Sequence, residues 1–319
     1  MDKKMKIWLI VAASLVLVGA IIFGGVMTVL KWDFTKLSTY KYETNEHTLQ
    51  EKFQNIQIVT DTADIVFLPT EKNNASVICY EQENVHHSVG VADGTLVIEV
   101  ADSRKWYEYI GINFGAPKIT VYLPQGQYAS LSIKSSTGDV VIPKEFAFES
   151  MDISESTGDV TNYASTSLFT KIKTSTGSIR VENASVGMLD LSVSTGSVTV
   201  SNVTCAGDVK IQVSTGKANL TDIRCKNLIS GGNTGDITLK NVIATEKFSI
   251  ERSTGDVKFD GCDAAEIFVR TDTGDVTGSL LSEKHFFAET DTGRVDVPKC
   301  TTGGRCEIQT DTGNIKITI

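Results

Sequence analysis

Histidine and proline are both rare in this chain, four and five residues among 319. The histidines, His47, His86, His87 and His285, follow no metal-binding motif and no nucleophile–base spacing. The six cysteines contain no Cys-x-x-Cys pair, so neither a zinc ribbon nor a dithiol redox motif is expected. Gly-x-Ser-x-Gly, a phosphate-binding loop and a dinucleotide fingerprint are also missing. These absences leave no catalytic residue and no cofactor to expect. With 22% charged and 41% apolar residues, the chain is not a disordered tail. Few prolines among 26 evenly spread glycines point to short strands joined by tight turns.

Long hydrophobic runs are missing except for one. Residues Ile7 to Leu30 carry no charge. At 1.5 Å per residue this run makes about 36 Å of helix, enough to cross a hydrocarbon core of about 30 Å. Lys3, Lys4 and Lys6 precede it, which keeps residues 1–6 in the cytoplasm and places the remainder outside. A cleaved signal peptide is the competing reading. No small-x-small site followed by a polar stretch is present, and the run exceeds a signal core of about 7–15 residues, which favours an uncleaved single-pass anchor in the cell membrane. Removing the head's net +2 from the total of −9 leaves −11 on the outer part. That acidity argues against nucleic acid as a partner and suits a soluble exported domain.

What the chain has in abundance is a repeat. Thr-Gly pairs place glycine at Gly138, Gly158, Gly177, Gly196, Gly216, Gly235, Gly255, Gly274, Gly293 and Gly313, always 19 or 20 residues apart. Thr62-Ala63-Asp64 reads as a degenerate eleventh copy. Two and four residues after the glycine stand apolar side chains such as Val198 and Val200, with a polar residue between them. Seven and five before it stand others, such as Leu189 and Leu191. Alternation of this kind marks a strand with one buried face. One copy cannot bury its apolar face, but stacked copies can. The expected fold is therefore all-β: a parallel β-helix or β-solenoid of about ten or eleven turns, preceded by one transmembrane helix. Neighbouring strands about 4.8 Å apart would give a rod of about 45–50 Å. The glycines serve as structural turns. Asn183, Asn202, Asp222, Asn241 and Gly261 suit a second corner that needs the left-handed region.

Outside the array, residues 31–52 read as a polar juxtamembrane stalk, and 53–130 as irregular first turns and a cap before the regular repeats of 131–319. Strands are expected at Ile56–Val59, Val77–Tyr80, Leu96–Val100 and Ile119–Leu123, with a turn at Asp93-Gly94. Trp106, Tyr107, Tyr109 and Phe114 form an aromatic group, either a plug over the interior or a binding patch. The chain stops inside a copy at Ile315–Ile319. That implies an open strand edge through which chains could self-associate.

Acidic residues recur beside the glycines. A calcium ion between turns would draw on Asp272, Asp275, Asp291 and Asp311. The nonapeptide of calcium-binding β-rolls is missing, and turn chemistry accounts for the aspartates that directly follow the glycines, so no metal site is expected. The threonine ladder, Thr137 to Thr312, is read as structural, facing inward or sitting at the corner. Cys205 and Cys225 share a register in adjacent copies. They suit either a disulfide across about 5 Å or buried free thiols.

The N-terminal anchor, FQNIQIVTDTADIVFLP at 53–69, DGTLVIEV at 93–100, KITVYLP at 118–124 and the repeated STGDV carry a resemblance. Over residues 50–319 or so, the chain resembles the "putative adhesin" β-solenoid family, domain of unknown function 4097. The resemblance implies a bacterial cell-envelope protein, sometimes linked to envelope-stress operons, and supplies no catalytic residues. Two functions are compatible with it. One is a non-catalytic surface scaffold or adhesin whose rod meets a cell-surface glycan or protein. The other is an accessory protein of an envelope-stress response acting through a membrane partner.

Overall fold

The computed structural model describes residues 2–37, 40–102 and 115–319. Helix α1 spans Lys3–Val29, about 40 Å at 1.5 Å per residue. It is apolar on all sides and leaves Ile7, Trp8, Leu15 and Ile21 exposed, so it has no stripe to set against a protein core. It is long and apolar enough to cross a membrane, and a signal sequence has the same traits.

Beyond it the chain is a β-solenoid. All strands join one hydrogen-bonded sheet. Each coil is a strand, a Thr-Gly corner, a second strand and a second corner, and each strand pairs in parallel with its equivalent in the next coil. Leu189 faces Val209, Thr195 faces Thr215, Gly196 faces Gly216 and Val198 faces Ala218. The apolar columns are buried along the array. Leu131, Ile153, Leu191, Ile211, Val257 and Ile315 are at most 1% exposed.

Both ends of the stack depart from chain order. At the N-terminal end, β1 is Tyr42–Thr48, β2 Asn55–Val59, β3 Asp64–Thr70, β4 Ser76–Gln82, β5 Val85–Ala92, β6 Thr95–Asp102, β7 Lys118–Pro124 and β8 Gly126–Thr137. Strand β2 pairs with both β6 and β8, and β3 pairs with β7. The β2–β3 coil therefore lies between the β6–β7 coil and β8, although it comes first in sequence. Antiparallel strands finish this end. Strand β4 bridges β1 and β7, and β5 pairs with β6 across Asp93-Gly94, both at positive φ (49° and 71°). Strand β1 falls in the stretch read as a stalk. Its sequence, YETNEHT, is polar throughout and shows no apolar alternation to recognise.

The C-terminal end repeats the manoeuvre. Strand Gly304–Thr312 pairs with both Glu266–Thr273 and Lys284–Thr292. Strand Ile315–Thr318 pairs with both Val276–Leu280 and Val295–Asp296. The last repeat in sequence is thus inserted below the one before it. The expectation of an open edge at Ile315–Ile319 is corrected: Ile315–Thr318 is paired on both sides, and among the described residues of this end the open edge belongs to Lys284–Thr292. The core thins there. Phe286, Ala288 and Val297 are only partly buried, and Phe287 and Val295 are exposed.

Candidate functional site

The repeat glycines sit at φ between 123° and 156°, a region that L side chains avoid. A Cβ on Gly158 would also overlap the Gly138 carbonyl oxygen of the coil before it, so the corners stack on each other's backbone. The aspartates after the glycines form a ladder. The Asp139 carboxylate accepts from the Asp159 N–H (2.8 Å), Asp159 from Ser178 (2.7 Å), Asp236 from Asp256 (3.2 Å) and Asp256 from Asp275 (3.0 Å). The Asp256 N–H, chiefly, holds the Asp236 carboxyl below its usual range, aided by Lys217. Of the calcium candidates, Asp275 accepts from the Asn314 N–H at 2.7 Å, while Asp272, Asp291 and Asp311 stand exposed on the outer face. Among the described residues these four join no group of three ligand atoms.

The threonine ladder faces out at the corner and not inward. The chain bends at this point, so two consecutive residues point to solvent and the alternation used to place the threonines breaks. At the second corner Asn183, Asn202, Asp222 and Asn241 have φ of 51–55°, as the residue types suggest. Asn202 donates to Asn183 and Asn241 to Asp222. All six cysteines are free thiols. Cys205 lies within reach of the carbonyls of Gly187 and Asp208, and burial pushes the neighbouring Cys225 thiol up to about 12. Cys205 and Cys225 are not bridged in this structure. Trp106, Tyr107, Tyr109 and Phe114 lie outside the described residues.

A further inward column, three residues before each glycine, escaped the pattern because much of it is polar. Thr174, Thr271 and Thr310 donate to the carbonyls of Gly158, Gly255 and Gly274 in neighbouring coils, at 3.2, 3.3 and 3.0 Å. Glu155 and Arg252 occupy the same column, each 3% exposed. Arg252 fills the hollow left by Gly232 and donates to Gly231 O (3.1 Å) and Ser230 Oγ (3.1 Å). Above it the outer face has a depression of about 310 Å³ lined by Gln212, Gly231, Glu251, Arg270 and Asp272.

The densest chemistry lies at the N-terminal end. Alternation along β4 places Cys79 and Glu81 on one buried face. After a tight turn at Glu83-Asn84, β5 brings His87 back against them. The His87 N–H and Nδ1 meet Glu81 Oε2 at 2.8 and 2.6 Å, and Asn45 of β1 donates to Glu81 Oε1 at 2.8 Å. On the other side of the ring, His87 Nε2 is 2.8 Å from Thr60 Oγ1. Burial would raise the Glu81 pKa, but the hydrogen bonds from Asn45 and His87 outweigh it and hold the carboxyl below its usual range. Burial, then Glu81, pushes the Cys79 thiol up to about 12. Half-exposed His86 forms the rim, with Nδ1 at 3.5 Å from Glu81 and 3.4 Å from Glu43. Thr60, His87 and Glu81 line up as hydroxyl, imidazole and carboxylate, the order of a proton relay. Thr60 is only 5% exposed, so a substrate has no route to its hydroxyl in this closed arrangement. Sequence spacing does not single out the histidines, because the set is assembled across a turn. The available signal was Cys-x-Glu at strand spacing followed by His-His.

Fold and site together define an all-β solenoid with an apolar N-terminal helix and a polar cluster in its cap. The chain belongs to the Toastrack DUF4097 family, whose model matches residues 53–213 and 204–319. Its structure is similar to that of a "putative adhesin" from Bacteroides fragilis, at 17% identity over 87% of this chain and 97% of the other, with a TM-score of 0.42. A "putative lipid binding protein" from Parabacteroides distasonis is similar at 16% identity over 88% and 98%, with a TM-score of 0.49. Neither likeness bears on function. No curated protein matches the chain.

Proposed function

We propose that this chain is a membrane-anchored, non-catalytic surface scaffold of the adhesin kind. In this reading α1 crosses the cell membrane with residues 1–6 inside. The solenoid stands outside and offers its outer faces to a cell-surface glycan or protein. The observation that supports it most is the filled interior. Side chains, apolar in all but one column, fill the interior, so what the rod presents to a partner is its outer ladders. Those ladders are mixed in charge and cross-linked between coils, as in Lys171–Asp152 at 3.8 Å and Lys217–Asp236 at 3.4 Å. The depression beside Gly231 is a break in them open to a ligand.

Protease added to intact cells tests the topology: the solenoid should be degraded while a tag on residues 1–6 stays protected. The purified full chain on glycan and wall-polymer arrays tests the binding role. Saturable binding without turnover supports the scaffold. Turnover of a wall polysaccharide would overturn it. Crosslinking in cells that traps only a membrane signalling protein would replace it with the accessory role.

A further inference from the structure

We propose that Cys79, Glu81 and His87 form a binding site for a zinc-type divalent transition metal in the solenoid cap. Their ligand atoms all lie within 4.8 Å of one another, and the three residues are 0, 1 and 5% exposed. A thiol, a carboxylate and an imidazole converging in the buried cap are the donors such ions take. The supporting groups are also in place. The ring nitrogen that faces Glu81 is Nδ1, and Nε2 meets Thr60 Oγ1, which holds the ring as an outer-shell partner does. Asn45 fixes the carboxylate from its other oxygen. In the metal-free state the Nδ1 proton bridges His87 and Glu81. On binding, that proton moves to Nε2, where it is donated to Thr60, and the ion takes its place. Cys79 loses its proton to solvent, so thiolate and carboxylate together balance the two positive charges. His86 at the half-exposed rim marks the side from which an ion enters.

The test uses the full chain in detergent, stripped with chelator and titrated with cobalt(II) as a spectroscopic stand-in. One equivalent should bind with a thiolate-to-cobalt charge-transfer band, and zinc should displace it. Zinc should raise the melting temperature and chelator should lower it. Cys79→Ser should abolish the band, Cys205→Ser should keep it, and Thr60→Val should weaken binding about tenfold. If Cys79→Ser fails to fold by circular dichroism, His87→Gln serves in its place, leaving the thiol but removing the stoichiometric site. A wild-type chain without a thiolate band overturns the proposal. So does a band that survives Cys79→Ser or His87→Gln, since the ion then sits elsewhere.

Discussion

Glu155→Gln isolates the cost of one buried acid. Glu155 points into the solenoid between Ser135 and Thr174 of the neighbouring coils, and neither carboxylate oxygen has a hydrogen-bond partner. Burial, chiefly, pushes its pKa up to about 7 from the ordinary 4.5, with the nearby Ser135 hydroxyl opposing the rise and Asp139 adding to it. A carboxyl with a raised folded pKa binds its proton more tightly when folded. Its contribution is therefore most favourable below about pH 4.5 and is lost as pH rises through about 7. At 1.36 kcal/mol per unit, the shift is worth about 3 kcal/mol by pH 8. Glutamine keeps the shape and cannot ionise. Glu155→Gln should match the wild type near pH 4.5 and melt about 6–10 °C higher at pH 8, at a few degrees per kcal/mol for a domain of this size. Thermal melts of the full chain in detergent, run from pH 4.5 to 8.5, read the difference. Parallel pH profiles for the two proteins would refute the reasoning, because the shift assigned to Glu155 would not exist.

Three further outcomes follow from the same geometry. Gly196→Ala places a side chain at φ 145° against the Gly177 carbonyl, and should cost at least about 2 kcal/mol in denaturant melts. Asn202→Ala should cost about 1 kcal/mol by forcing alanine to φ 51° and removing the bond to Asn183. Asn202→Gly should cost less than Asn202→Ala in the same melt, since only the bond is lost, and an equal cost would deny the backbone argument. Finally, the unpaired edge at Lys284–Thr292 predicts concentration-dependent association in light scattering, weakened by Phe287→Lys. A strict monomer at high concentration would remove that expectation.

The corners are legible in the sequence. A glycine every 19 or 20 residues, apolar residues at fixed offsets and Asn or Asp at the second bend each state a local requirement, and the structure meets them at Gly158, Val198 and Asn202. The cap cluster was not legible. Cys79 and Glu81 share a face through strand alternation, but Asn45 reaches Glu81, and Thr60 reaches His87, only because β1, β4 and the β2–β3 coil are packed at the same end. The column holding Glu155 and Arg252 hid for another reason: an inward position filled by threonine, glutamate, glycine and arginine does not read as buried.

By itself, then, the sequence determined the repeating unit, its parallel stacking and the apolar helix ahead of it. These depend on contacts within one coil or on a pattern shared by every coil. The order of the coils at each end was decided only in the tertiary structure. Neighbouring copies are alike enough that Gly304–Thr312 pairs in the same register with Glu266–Thr273 on one side and Lys284–Thr292 on the other. Periodicity cannot rank such pairings. The short connections that let the chain skip a level, and the burial gained by closing it back, choose between them.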